Sequence, residues 1–531
     1  MPAAFRDAFV RTSRHYLRLL GRIDALYAEG GGSLTRAVQH FDAEWISIRN
    51  GQRWAELHAG TDPEATAFCS AYADAGAYVI GLRLPPVERR RWLEAALEAA
   101  VHLGDQNAQA VHHGNLAHVL SHLGHPAQAA EHAAASLRLH RATGNREGEA
   151  DALGSLSSAR MAEGDFRTAA EHHLEQLRIV QELGDRRREA NALGNLGTAH
   201  YALSEYHRAV EHHERALSLD HEDGNLLGEA TSLGNLGLAL FALGETRRAA
   251  ECYEAALKLD RELGNRRGEC ADLGNLGNVY ATLGDWRRAL IFYEEQRAVA
   301  QETGDRQLES LALCNAGNAY SEAGETERAL ACYGEQLEIA RGIGDRRAES
   351  IALNNFGNVS AAMGDHGHAM ELYQEALRIY RALGDRQGEA RCLGNLGRSH
   401  RARGEHDAAG EYLAQCLALA REIGDRETEA STLVNVAMSQ LGEGEAEGTA
   451  EMLERALLIF RETQDVRGEA KALTGLAMAY DLTGEPRRAL EAGETALERF
   501  RGCDDPRAES VGEFVTTLRG RLEKRWWQVW K

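Results

Sequence analysis

The chain has 531 residues, 44% hydrophobic and 27% charged, a globular composition that excludes a wholly disordered polypeptide. Against 81 Asp and Glu stand 60 Lys and Arg, a net charge of −21, which is a poor electrostatic match to nucleic acid or an anionic membrane. At roughly 100–200 residues per domain, the length allows about three to five ordinary domains or one long repeat array.

Residues 1–63 read as helical, out of phase with the rest of the chain, and are expected to form an N-terminal helical cap. The opening MPAAFRDAFVRTSRHY has no apolar core of the signal-peptide kind. Nowhere does the chain approach the roughly 18 uninterrupted apolar residues of a spanning helix. The eight cysteines, from Cys69 to Cys503, form no CxxC pair and mostly sit among apolar neighbours. Free thiols in a reducing compartment are the simpler reading, and a cytoplasmic protein is expected.

From residue 64 to 503 the chain repeats with a 40-residue spacing, giving about eleven units, the first of them degenerate. LGNLG begins at Leu193, Leu233, Leu273 and Leu393, and an asparagine recurs in phase from Asn115 to Asn435. Glycines recur from Gly104 to Gly424, and a glutamate from Glu149 to Glu509. Each unit reads as two helices. In one unit Leu273, Leu276, Val279, Tyr280 and Leu283 form one apolar stripe; Gly284-Asp285 interrupts; Trp286, Ala289, Leu290, Tyr293 and Val299 form a second. The glycine suits a left-handed residue past a helix end, and the Asp, Glu or Asn after it caps the next helix. The recurrent Glu falls in the first turn, where the helix dipole favours it. A two-helix unit cannot bury its stripe alone, so neighbours must stack. The expected fold is all-α, an elongated solenoid of helix-turn-helix repeats.

The unit resembles a tetratricopeptide repeat, through Leu273, Leu276-Gly277 and Tyr280 in the first helix and Ala289 and Tyr293 in the second. Its long period is similar to the Leu-Gly-Asn repeats of cell-polarity adaptors and to kinesin light chains. The segment FDAEWISIRNGQRWAE, followed by WLEAALEAA, is similar to the region before the repeats in bacterial signal-transduction ATPases of the STAND class. No GxxxxGK[ST] phosphate loop accompanies it. The resemblance implies a right-handed superhelix whose concave wall is lined by first helices and holds a protein or peptide ligand.

On that geometry the asparagine column faces the groove. The candidate strip is Asn235, Asn275, Asn278, Asn315, Asn318, Asn355, Asn358 and Asn395, with doubled members three residues apart on one helix face. Amide side chains complement an extended backbone without reading its sequence. The alternative is structural, with the asparagines bridging adjacent repeats. Gly194, Gly234, Gly274 and Gly394 precede the asparagines inside helices, at about 0.5–1 kcal/mol each against Ala. Close approach of a neighbouring helix or a ligand is the expected compensation. Arg391, Asn395 and Arg398 share one face, with Arg401 and Arg403 following, and suit a carboxylate or phosphate anchor or a solvated basic face.

The 22 histidines suggest no metal site. His132, His172 and His212 share a column, but stacked repeats place equivalent residues about 9–10 Å apart, too far to share a zinc. His173 and His213 fall in the column of Tyr253, Tyr293, Tyr333 and Tyr373 and read as core aromatics. No catalytic motif and no cofactor site is recognisable. Residues 504–531 read as a C-terminal capping or docking helix, with a basic face and Trp526, Trp527 and Trp530. The reading is a non-catalytic interaction scaffold. A sensor subunit for a separately encoded signalling enzyme, or a protein self-assembling through that helix, is the alternative.

Overall fold

A computed structural model describes residues 3–28, 32–503, 505 and 507–529. It is all-α among these residues. The helices are α1 (Ala3–Ala28), α2 (Gly32–His58), α3 (Pro63–Ala75), α4 (Ala77–Arg83), α5 (Pro86–Leu103), α6 (Gln106–His122), α7 (Pro126–Thr143), α8 (Arg146–Ala162) and α9 (Phe166–Leu183). There follow α10 (Arg186–Ala202), α11 (Tyr206–Glu222), α12 (Leu226–Ala242), α13 (Thr246–Leu263), α14 (Arg266–Thr282), α15 (Trp286–Thr303), α16 (Arg306–Glu322), α17 (Thr326–Ile343) and α18 (Arg346–Ala362). The last are α19 (His366–Leu383), α20 (Arg386–Ala402), α21 (His406–Ile423), α22 (Arg426–Gly442), α23 (Thr449–Glu462), α24 (Val466–Leu482), α25 (Pro486–Gly502) and α26 (Arg507–Val529). None of the described helices is long and apolar enough to cross a membrane.

The chain divides into two compact units, residues 1–275 and 276–531, with the division inside α14. In unit 1, α1 and α2 pair and pack on α3 through Phe41, Ile48, Trp54, Phe68 and Tyr72, and the Tyr72 hydroxyl donates to the Ser13 carbonyl at 2.8 Å. Trp45 stacks on Trp92 of α5 at 5.8 Å. From α6 onward the unit is a run of hairpins, each helix packed on the one before. In unit 2 the hairpins α16–α17, α18–α19, α20–α21, α22–α23 and α24–α25 stack in the same way, with contact between successive first helices. Helix α26 closes the unit, burying Val511, Val515 and Leu518 against Phe500 and its neighbours. Each unit is thus a stretch of helical solenoid.

Local chemistry explains the regularity. The glycine after most second helices is left-handed, as at Gly264 (φ 66°) and Gly344 (φ 72°), where a Cβ would be strained, and Gln464 (φ 58°) takes the same conformation after α23. Asp and Asn then cap the next helix: Asp345 accepts from the Ala348 amide at 2.9 Å and Asn225 from Gly228 at 3.2 Å. Glu at the turns inside several hairpins does not cap. With one more methylene, Glu205, Glu325 and Glu485 instead accept from Arg208, Arg328 and Arg488, one helical turn on.

The recurrent first-turn glutamate does more than meet a dipole. Glu349 is buried and accepts from Arg341 Nε at 2.9 Å, across the turn, and from Arg346 on its own helix. Glu149, Glu269, Glu389 and Glu429 repeat the two-arginine clamp.

The close-packed glycine is the second of the motif, not the first. A Cβ on Gly317 would lie 2.6 Å from Tyr333 Cε1, and one on Gly357 at 2.6 Å from Tyr373 Cε1. Gly197 and Gly237 face His213 and Tyr253 in the same way. By contrast nothing approaches Gly194 within 4 Å, and Gly234 and Gly394 have only ordinary neighbours at 3.6 and 3.4 Å. The expectation that close packing offsets the helical cost of these first glycines fails at Gly194.

Candidate partner-binding site

The asparagines sit on the first helix of each hairpin. In unit 1, Asn235 on α12 and Asn275 on α14 are half-buried. In unit 2, Asn315, Asn355 and Asn395 are half-buried on α16, α18 and α20, while Asn278, Asn318 and Asn358 stand exposed one turn further on.

Those exposed amides are held from beneath. The Tyr293, Tyr333 and Tyr373 hydroxyls donate to Oδ1 of Asn278, Asn318 and Asn358 at 2.8, 2.7 and 3.0 Å. These are the same tyrosines that fill the seats over Gly277, Gly317 and Gly357. One aromatic side chain therefore packs the hairpin and orients an amide on its outer face. Neighbouring repeats are also bridged: Asn355 Nδ2 donates to Asn318 Oδ1 at 3.1 Å, and Asn395 Nδ2 to Asn358 Oδ1 at 2.9 Å and to buried Asn354 Oδ1 at 3.0 Å. The inter-repeat reading of the column has direct bonds behind it. Asn355 and Asn395 join repeats, while Asn318 and Asn358, with Oδ1 occupied, turn NH₂ donors to the surface.

A cavity of about 490 Å³ opens over α18, α20 and α22. Asn354, Asn355, Asn358, Arg391, Asn395 and Arg398 line it, and Gln387, Ser431 and Thr428 complete its polar rim. Asp425 also lines it but is engaged as the α22 cap, and Glu427 is its remaining acid. Arg398 donates to Asn395 Oδ1, which links the cation to the amide strip.

Arg391 and Arg398 line the cavity together with Asp425 and Glu427, and Arg401 and Lys471 stand near enough to feel the charge of Arg398. Among the described residues no ion pair involves Arg391, Arg398, Arg401 or Lys471, in contrast to the paired arginines at the turns. Burial, then the like charge of Arg398, pushes the Arg401 guanidinium below its ordinary value. The Lys471 ammonium is likewise lowered, chiefly by burial and then by Arg507 and, more weakly, Arg398, with Asp465 and Asp505 opposing. Like charges brought close together in a partly desolvated place favour the approach of an anion.

Lys471 stands outside the asparagine motif because its unit has Gly475 in the asparagine's place. The signal that finds it is the column itself, since Arg391, Ser431 and Lys471 stand at 40-residue steps. The side chains of Trp526 and Trp527, and all of Trp530, lie outside the described residues.

The tetratricopeptide repeat profile matches residues 148–222, 269–342, 348–422 and 428–502, and a second repeat profile matches 230–263. No curated protein matches the sequence significantly. Among solved structures, BtubC (BKLC) from P. vanneervenii is similar over 49% of this chain and 93% of its own, with 22% identity and a TM-score of 0.35. The quorum sensor NprR from B. thuringiensis aligns over 62% and 93%, with 13% identity and a TM-score of 0.49. A STAND protein with a tetratricopeptide repeat sensor from Pyrococcus horikoshii aligns over 91% and 74%, with 12% identity and a TM-score of 0.47. The repeat profile covers more than half of the sequence, and the chain belongs to the tetratricopeptide repeat family.

Proposed function

We propose that this protein is a non-catalytic adaptor that holds an extended, acidic segment of a partner protein along the first-helix face of unit 2. The observation that carries the reading is the donor excess of that face. Asn278, Asn318 and Asn358 spend their acceptor oxygens on tyrosine hydroxyls and keep their NH₂ groups for a ligand. Arg391, Arg398 and Lys471 can only donate. A ligand rich in carbonyl and carboxylate oxygens complements such a surface, and a basic one is repelled. The net charge of −21 makes a local cationic patch a selective landmark rather than a general property of the surface.

The test must separate ligand contacts from bonds between repeats. Replacing Asn315, Asn318, Asn355 and Asn358 together removes both kinds, because Asn318 and Asn355 bond each other. Arg391→Glu and Asn315→Ala leave the amide bridges in place. Fluorescence anisotropy with a labelled oligoglutamate peptide should show about tenfold weaker binding for Arg391→Glu, ~1.4 kcal/mol. A smaller loss is expected for Asn315→Ala, with unchanged circular dichroism for both. Equal affinity of wild type and Arg391→Glu would refute the reading.

A further inference from the structure

Fifteen of the 22 histidines lie between His102 and His221, and the hairpins α8–α9 and α10–α11 place two of them where the next four repeats use tyrosine. His213 fills the seat over Gly197, where a Cβ would lie 2.7 Å from its ring, just as Tyr253, Tyr293, Tyr333 and Tyr373 fill theirs. His173 is the equivalent residue one repeat earlier. Both are at least 98% buried by exposed area. A tyrosine is neutral in such a seat and reaches an asparagine at its far end. Here the asparagine positions are Ser158 and Thr198, whose hydroxyls donate instead to the Gly154 and Gly194 carbonyls of their own helices.

The surroundings offer no counter-charge. His173 Nδ1 lies 3.1 Å from Gln176 Oε1, and His172 beside it is its one titratable neighbour of note. Across the hairpin, at the position equivalent to Gly197, stands fully buried Ser157, whose hydroxyl has no partner. His213 Nδ1 is buried without a partner, and the group acting on it is again a histidine, His212. His172 is faced by Glu175, Arg160, Glu171 and Arg141, and His212 by His200, Arg215, Glu211 and Arg208. His200 stacks on His212 at 5.2 Å and is paired with Glu205 at 2.7 Å. Among the described residues no ion pair reaches His173 or His213. A proton added to either ring arrives in a dry seat beside a second histidine.

We propose that α8–α11 is an acid-operated segment of unit 1, in which protonation of His173 and His213 expels the rings from their inter-helix seats and loosens these two hairpins. The sign follows from the neutral form being the buried one. An exposed imidazole takes its proton near pH 6.5, whereas burial, reinforced by His212, pushes His213 down to about 4. The stabilisation is complete above about pH 6.5 and is lost as pH falls through that value toward 4. In unit 2 the hairpins α16–α17 and α18–α19 carry tyrosine in these seats and α20–α21 carries Leu413, and they lack the response.

Hydrogen–deuterium exchange of the full chain, corrected for intrinsic rates, tests this. Between about pH 7.5 and pH 5.5 the opening equilibrium of α8–α11 should rise about tenfold for His213 alone, and more with His173. The hairpins α16–α17 and α18–α19 should change little. A variant carrying His173→Tyr, His213→Tyr, Ser157→Gly, Ser158→Asn and Thr198→Asn rebuilds the array's own tyrosine seats and should abolish the rise. Equal acid-induced exchange in both units, or a rise that survives in a folded variant, overturns the proposal. Should the variant not fold, imidazole carbon NMR of the wild type decides: His213 titrating below about pH 5 supports the device, and titration near 6.5 overturns it.

Discussion

At the residue scale, the array shows how one position changes its physics while keeping its shape. The inner seat filled by Ser232 in one hairpin, where its hydroxyl donates to Asp220 Oδ2 at 3.0 Å, holds Asp272 in the next, beside Asp260. Asp272 is 4% exposed and its Oδ2 has no partner. Burial first, and Asp260 second, push its carboxyl up to about 8. The native chain therefore keeps a proton that the unfolded chain releases near pH 4. This contribution is fully present below about pH 4 and is lost as pH rises through about 8, opposite in sign to the buried histidines. Asp272→Ser, which copies the neighbouring hairpin, should flatten this part of the pH dependence. Urea unfolding at about pH 5 and pH 9 should then show the variant gaining a few kcal/mol relative to wild type at the higher pH. An unchanged difference between the two pH values would contradict the assignment. Nothing in the residue pattern announced this pair, because a lone Asp on a helix reads as exposed until its neighbours are known.

At the element scale, the hairpins and their turns were legible because each carries its own punctuation. A left-handed glycine, a short acidic or amide residue and two apolar stripes recur at a fixed step, and local chemistry suffices to place them. What pairs across a hairpin was less legible. The glycine before each asparagine looked like the close contact, yet the contact falls on the glycine after the leucine, which faces the partner helix, while nothing lies over Gly194. Likewise the recurrent glutamate read as a dipole residue, and only the fold brings Arg341 across a turn to Glu349. The two glycine columns give a matched prediction. Gly357→Ala pushes a methyl into Tyr373 and should cost about 1–3 kcal/mol in thermal unfolding. Gly194→Ala meets nothing and should stabilise by about 0.5–1 kcal/mol. Equal effects at the two positions would contradict the packing described.

At the scale of the whole molecule, charge divides the labour. Most arginines are spent on clamps that lock turns and join successive repeats, as in Arg386 with Glu389 and Glu422. Arg391, Arg398 and Arg401 are among the exceptions, and Arg391 and Arg398 were visible in sequence as one helical stripe. Their relation to Lys471 and to the tyrosine-oriented amides was not, since it depends on stacking that brings residues 40 or more apart onto one wall. The all-α repeat architecture was readable from periodicity, whereas the identity of the partner is written in no column of this chain. On the function proposed, the cations and donor amides of unit 2 recognise an acidic segment. That claim is tested most directly by titrating an oligoglutamate peptide calorimetrically at low and high salt, with wild type and with Arg391→Ala/Arg398→Ala. Wild-type affinity should fall steeply with salt and the double variant should bind weakly with a shallow dependence. Identical affinities and identical salt slopes for the two proteins would contradict the claim.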